Sequence, residues 1–253
     1  MDYFVNKDSI VRSIWGKADT VLFIFAGAAA EFALNKAVDW LYFTGRLPAD
    51  PLGRLFSTVE YARQILFLPH NQALAAIDKI THIHQGVEKA RGEQIPDWAY
   101  RDVLFMLIDY SIRSFELLER KMTDAEKQEV FEVFRRVGER MGITGLPQNY
   151  VHWTYMRESH LQQDMVKSKY TADLYKKYLQ HLGWVRYLLL RQVQVILVPN
   201  AVREMLELNT LPLLKPVLWL YKVTRFMKVD WLLKEAILPA GYKLQIRSLD
   251  YSF

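Results

Sequence analysis

The chain has six histidines and no cysteine. Without a thiolate there is no disulfide scaffold, no thiolate nucleophile, no iron–sulfur cluster and no Cys-ligated zinc. Any metal or cofactor must be held by His, carboxylate, Tyr, Met or backbone groups. His70 follows Pro69 at a helix break and reads as loop. His152, His160 and His181 lie among polar residues on helices expected to be half-exposed, and no H-E-x-x-H pair occurs. His82 and His84 are two apart, which on a helix turns them about 200° from each other. They cannot chelate one ion together. His84 shares a face with Ile77, Ile80 and Val87, and His82 faces solvent. An imidazole on an apolar helix face has two readings. One is a core histidine whose nitrogens are satisfied by neighbouring groups. The other is an axial ligand, aimed from an apolar wall at a haem pocket.

Arg54 and Thr58 are four apart on one helix, at the border of an apolar side marked by Leu55, Thr58, Ala62 and Ile65. A guanidinium there could bind a carboxylate, and the hydroxyl beside it could hydrogen-bond a ligand. The alternative is an arginine that extends its head into solvent. Two carboxylates stand in apolar surroundings. Glu31 ends the most apolar run, and Asp39 sits between Val38 and Trp40. Unpaired, such a group has a raised pKa and suits general-base work. An internal ion pair to Lys36 or Arg46 is the structural alternative. No Gly-rich phosphate loop, Gly-x-Ser-x-Gly elbow or EF-hand loop is found.

These residues must be positioned by helices. The run Thr20–Ala30 is too short to span a bilayer and predicts a buried core helix within 18–43. Asp50 and Pro51 supply an N-cap and a first-turn proline for a helix to about Phe67, which Pro69 stops. The next helix is expected from about Gln72 to Lys89. Another begins near Asp97, with Leu104, Leu107, Ile108, Ser111, Phe115 and Leu118 inward. Thr123 and Glu126 form a capping box, and Gly142 lies just past the end of that helix. Leu146-Pro147 introduces a helix running through Trp153 and Met156 towards Met165. Thr171 is the expected cap of one that continues through Val185–Val198. Shorter segments follow from Pro199 to about Leu208, from Val217 to Met227 and from Asp230 to Ile237. No strand-like alternation, repeat or linker is visible, so the expectation is a single all-α domain over 1–253, with 211–253 as a C-terminal helical extension.

The 253 residues can bury a sizeable core, and an apolar content of 51 % excludes general disorder. A net charge of +5 is modest, with no Lys/Arg block, which argues against nucleic acid as partner. The segment 211–227 mixes aromatic and basic residues and could rest on a membrane surface; packing on the core is the alternative. No secretory signal is read in the first fifteen residues, so the expected location is cytoplasmic, with membrane association open.

The stretch Asp50-Pro51-Leu52-Gly53-Arg54-Leu55-Phe56-Ser57-Thr58, then His84-Gln85-Gly86-Val87 twenty-six residues past Thr58, resembles the family of MpaB-type oxygenases and the catalytic domain of rubber oxygenases. Trp98-Ala99-Tyr100, Met141-Gly142-Ile143, Leu146-Pro147 and Ile237-Leu238-Pro239-Ala240-Gly241 follow in a similar order, so the resemblance covers about 18–240. It implies a globin-like helical core with haem b, His84 as iron ligand, and Arg54 and Thr58 lining the pocket as cofactor-binding and catalytic residues. It also implies O2-dependent cleavage of a carbon–carbon double bond in an apolar isoprenoid or lipid-like substrate. Two departures stand out. Ser57 occupies the place of a lysine that often precedes the threonine, and the family's catalytic glutamate has only Asp39 and Glu31 as nearest candidates. A reading from another class is a non-catalytic helical protein that binds haem or lipid.

Overall fold

A computed structural model describes residues 2–45, 49–208, 211–214, 216, 218 and 221. Arg46, the helix expected over 230–237 and the turn at 238–241 lie outside the described residues, as does the side chain of Leu55. So does most of 217–227, and with it most of the expected C-terminal extension.

The described residues form ten helices and no strand beyond two single bridges. In chain order these are α1 (Ile10–Trp15), α2 (Ala18–Phe32), α3 (Val38–Thr44), α4 (Pro51–Phe67) and α5 (His70–Arg91), followed by α6 (Asp97–Leu118), α7 (Asp124–Arg140), α8 (Tyr150–Gln163), α9 (Lys169–Leu197) and α10 (Asn200–Met205). The chain is all-α, as expected. No helix among the described residues is long and apolar enough to cross a membrane.

Local chemistry accounts for the boundaries. The Asp50 carboxylate accepts from Gly53 N at 2.9 Å, and Pro51 opens α4 where its missing N–H costs nothing. The Thr123–Glu126 capping box opens α7, and Gly142 follows with φ +76°. Three expected starts move. The helix expected from Leu146-Pro147 begins at Tyr150, capped by the Asn149 side chain. His70 is the first residue of α5 rather than loop, with its N–H donating to Asp2 O at 3.0 Å. The cap of α9 is Ser168, and Thr171 is its capping-box partner. The Thr171 hydroxyl accepts from Ser168 N at 2.9 Å and donates to Ala33 O at 2.7 Å. Tertiary contact to α2 has recruited that hydroxyl. Within α9, Gly183 takes φ 72°, ψ 168°, a conformation open to glycine, and kinks the helix.

α2 and α6 pack side by side as the central pair, with α7 and α8 against α6, and α9 against α2. The antiparallel pair α4–α5 joins the rest through α9, α7 and α1. The space between that pair and α2–α6 is a large cavity, described below. α2 and α6 approach closely because Gly27 has no side chain: a Cβ there would lie 2.3 Å from the Tyr110 ring. That ring is fully buried, and its hydroxyl donates to Glu31 Oε2 at 2.8 Å, so it cannot swing aside without losing a buried bond. Gly27→Ala is therefore expected to destabilise the protein by about 1–3 kcal/mol through overpacking. A lowered urea midpoint at unchanged slope would show it.

Candidate active site

The cavity holds about 990 Å³ and is lined mostly by apolar side chains from α2, α4, α5, α6 and α9. Its volume lies at the upper end of ligand pockets, roughly 300–1,000 Å³. Arg54, Thr58 and His84 all reach its wall, so the structure brings these three together. The reason is the α4–α5 hairpin. Thr58, Ala62 and Ile65 mark one face of α4, and Ile80, His84 and Val87 mark one face of α5; both faces turn inward.

His84 lies edge-on to the Tyr100 ring, centroids 5.2 Å apart. The Tyr100 hydroxyl donates to Glu88 Oε1 at 3.1 Å, and that oxygen also accepts from Ile95 N at 3.0 Å. Glu88 is thus held one turn beyond His84. The Nδ1 of His84 is buried without a hydrogen-bond partner among the described residues. Burial first, and then the charge of Arg54, push the imidazole down to about pKa 4, against a weaker opposing pull from Glu88. His84 is therefore neutral at pH 7, with its lone pair available. On α4 the hydroxyls of Ser57 and Thr58 donate to Arg54 O at 2.8 and 3.0 Å. Thr58 Oγ1 retains acceptor capacity towards the cavity. Ser57 does not line it.

Neither candidate carboxylate lines the cavity. Asp39 is half-buried and accepts from Arg91 Nη2 at 2.7 Å. The Arg91 guanidinium in turn lies 4.0 Å over the Trp40 ring. Its partner is thus Arg91 of α5 rather than Lys36. Glu31 is also paired differently from expectation. It is fully buried and takes a two-pronged bond from Arg157, Nη1–Oε1 2.5 Å and Nη2–Oε2 2.6 Å. Arg157 Nη2 also donates to Asp109 Oδ2 at 2.9 Å.

His160 corrects the sequence reading most clearly. It is 3 % exposed rather than half-exposed. Its Nε2 is 3.0 Å from Glu31 Oε1, and its Nδ1 is 2.7 Å from Asp102 Oδ1. Asp102 Oδ2 accepts from Asn35 Nδ2 at 3.1 Å, and Asn35 reaches the cavity wall. Burial opposes charge on His160, but the bonds to Asp102 and Glu31 outweigh it and raise the imidazole to about 9. For Glu31, burial favours the neutral acid; Arg157 and His160 overcome it and hold the carboxyl at about 2. Asp102, Asp164 and His160 also bring three ligand-type atoms within 4.8 Å of one another. With a protonated imidazole between two carboxylates, this cluster is an ion-pair network tying α2, α6 and α8 together. The signal that could have revealed it is the spacing on α8. Trp153, Arg157, His160 and Leu161 fall on one helical face, and all four are buried.

An all-α chain with an apolar cavity and one neutral, unpartnered histidine on its wall has the makings of a cofactor-dependent enzyme. Residues 14–229 match the family described as ER-bound oxygenase mpaB/B'/rubber oxygenase, catalytic domain. The chain belongs to this family of oxygenases. No curated protein and no solved structure matches significantly.

The network predicts a pH profile. His160 has its pKa raised on folding, so its contribution is complete below about 6.5 and is lost as pH rises through about 9. His84 is lowered, so the unfolded chain takes up its proton first and stability falls from about 6.5 down to about 4. Glu31 is lowered, so its contribution is present above 4.5 and is lost as pH falls through about 2. Unfolding free energies measured by urea across pH should peak near neutrality, and His160→Gln should flatten the alkaline limb. Arg157→Met leaves Glu31 and Asp109 without their shared cation and is expected to cost about 3–5 kcal/mol in the same assay.

Proposed function

We propose that this chain is a haem b-dependent oxygenase that cleaves a carbon–carbon double bond in an apolar, isoprenoid or lipid-like substrate. The observation that carries the reading is His84, a neutral imidazole with an unpartnered buried nitrogen, on the wall of a cavity large enough for a tetrapyrrole and a chain. The residues present fit the group. His84 would hold the iron, and the Arg54 guanidinium would hold a propionate carboxylate. When bound, haem supplies the O2 chemistry, in which both oxygen atoms end up as carbonyls on the two carbons of the broken bond.

The chain's own residues do the rest. The α4–α5 hairpin holds His84 and Arg54 on adjacent, mutually packed helices, so ligand and cation are positioned by rigid elements. Tyr100 packs against the imidazole and fixes its tilt. Thr58 offers an acceptor to a donor in the cavity, because its proton is committed to Arg54 O. The apolar lining from α2 and α9 excludes water and accommodates a hydrocarbon. Asp39 has no part in this scheme, since its carboxylate serves Arg91.

One observation favours a second reading, a non-catalytic haem or lipid carrier: no Asp or Glu side chain lines the cavity among the described residues. The experiment is an absorbance spectrum of the purified protein, reconstituted with haemin, followed by O2 uptake with an unsaturated isoprenoid. A Soret band that is lost or shifted in His84→Ala, together with O2 uptake, is the expected result. A band without uptake favours the carrier. A protein that takes up no haem, or a band unchanged in His84→Ala, overturns the assignment of the ligand. Because the free imidazole of His84 stays neutral until pH approaches about 4, haemin uptake by the haem-free protein should persist on acidification towards that value.

A further inference from the structure

A neutral imidazole has two nitrogens to satisfy, one with a lone pair and one with an N–H. At His84 the haem reading uses the lone pair and leaves the N–H without an acceptor: Nδ1 is buried and meets no hydrogen-bond partner among the described residues. A buried polar atom left without a bond is costly. Where a histidine holds a metal, its other ring nitrogen almost always donates to a carboxylate, a backbone carbonyl or water.

Glu88 is the carboxylate in reach. It follows His84 by four residues on α5, so the two side chains are neighbours on one helix face. His84 lines the cavity and Glu88 does not, so this carboxylate stays clear of the ligand space. Its two oxygens are used unequally. Oε1 accepts from the Tyr100 hydroxyl at 3.1 Å and from Ile95 N at 3.0 Å. Oε2 has no hydrogen bond among the described residues. Tyr100 also lies edge-on to the His84 ring. One tyrosine thus packs against the imidazole and anchors the carboxylate beside it. The charge of Glu88 is felt by His84.

We propose that Glu88 is a positioning residue for the iron ligand: its Oε2 accepts the Nδ1–H of His84 and so fixes the tautomer that leaves the Nε2 lone pair for the cavity. This inference rests on the haem reading and deepens it. A carboxylate on Nδ1–H raises the basicity of the imidazole, which strengthens its hold on iron and favours ferric over ferrous iron. Glu88 acts through His84 and needs no contact with haem or substrate.

The test measures haemin binding by Soret titration, the ferric–ferrous equilibrium of the loaded protein, and the tautomer of His84 in the haem-free chain by nitrogen NMR shifts. Glu88→Gln keeps an oxygen for Tyr100 and Ile95 and removes the charge. It should weaken haemin binding about tenfold or more. It should also shift the equilibrium about tenfold towards ferrous iron, a potential change of about 59 mV. Tyr100→Phe keeps the ring and releases the carboxylate, and should move both readouts the same way by less. In the haem-free parent the proton should sit on Nδ1. A Glu88→Gln variant that lowers only the urea midpoint, with binding and equilibrium unchanged, assigns Glu88 to the α5–α6 turn and overturns the proposal. A parent with the proton on Nε2 also overturns it. Should Glu88→Gln fail to fold, Tyr100→Phe and the parent's tautomer decide. If the parent takes up haemin through His84 and the variants match it, the haem reading stands without this inference; a parent that takes up none overturns both.

Discussion

The two-pronged bond between Arg157 and Glu31 is the contact on which the remaining architecture rests. Both side chains are almost wholly removed from water. A charge buried in that way is tolerated only when its partner and its hydrogen bonds are in place. α2 contributes Glu31, α8 contributes Arg157 and His160, and α6 contributes Asp102, Asp109 and Tyr110. None of these helices can slide without stranding a charge. Gly27 completes the arrangement, because α2 can seat against the Tyr110 ring only where no Cβ intervenes.

With α2 and α6 locked, one side of the pair is polar and ion-paired, and the other is apolar and hollow. The charged side pairs cations with carboxylates across three helices. The hollow side has neutral His84, two arginines and an otherwise uncharged lining. Asn35 belongs to both: its amide donates to Asp102 while its side chain reaches the cavity wall. The contrast between the histidines follows from this division. His160 sits between two carboxylates and holds its proton; His84 sits among apolar groups near a guanidinium and gives its proton up.

Much of the helical layout was legible in the residues. Asp50-Pro51, the Thr123–Glu126 box, Gly142 and the run Thr20–Ala30 each carry a local reason for a start, a stop or burial, and each is found as expected. The grouping of Arg54, Thr58 and His84 was implied only by the resemblance to the family: the helix faces alone left a solvated arginine and a satisfied core histidine equally open, and the shared cavity wall became visible once α4 and α5 were placed. His160 was misread. Its neighbours on α8 are Arg157, Glu158, Ser159 and Gln162, which suggest a solvated helix. The carboxylates that let it be buried come from positions 129 residues away in Glu31 and on another helix in Asp102. Thr171 was assigned the wrong cap role on similar grounds: its second bond goes to Ala33 O, 138 residues distant.

Composition and short-range pattern were enough for an all-α fold and for most helix boundaries, because capping and amphipathic periodicity act within a few turns of chain. Which charges neutralise each other, and which carboxylate faces a cavity, depended on the packing of helices distant in sequence. Coulomb interaction and desolvation are set by separation in space, and no window along the chain encodes that separation. Glu31 shows the difference: its apolar surroundings were visible in its own neighbours, while its partner Arg157 became visible only once α2 and α8 were placed together.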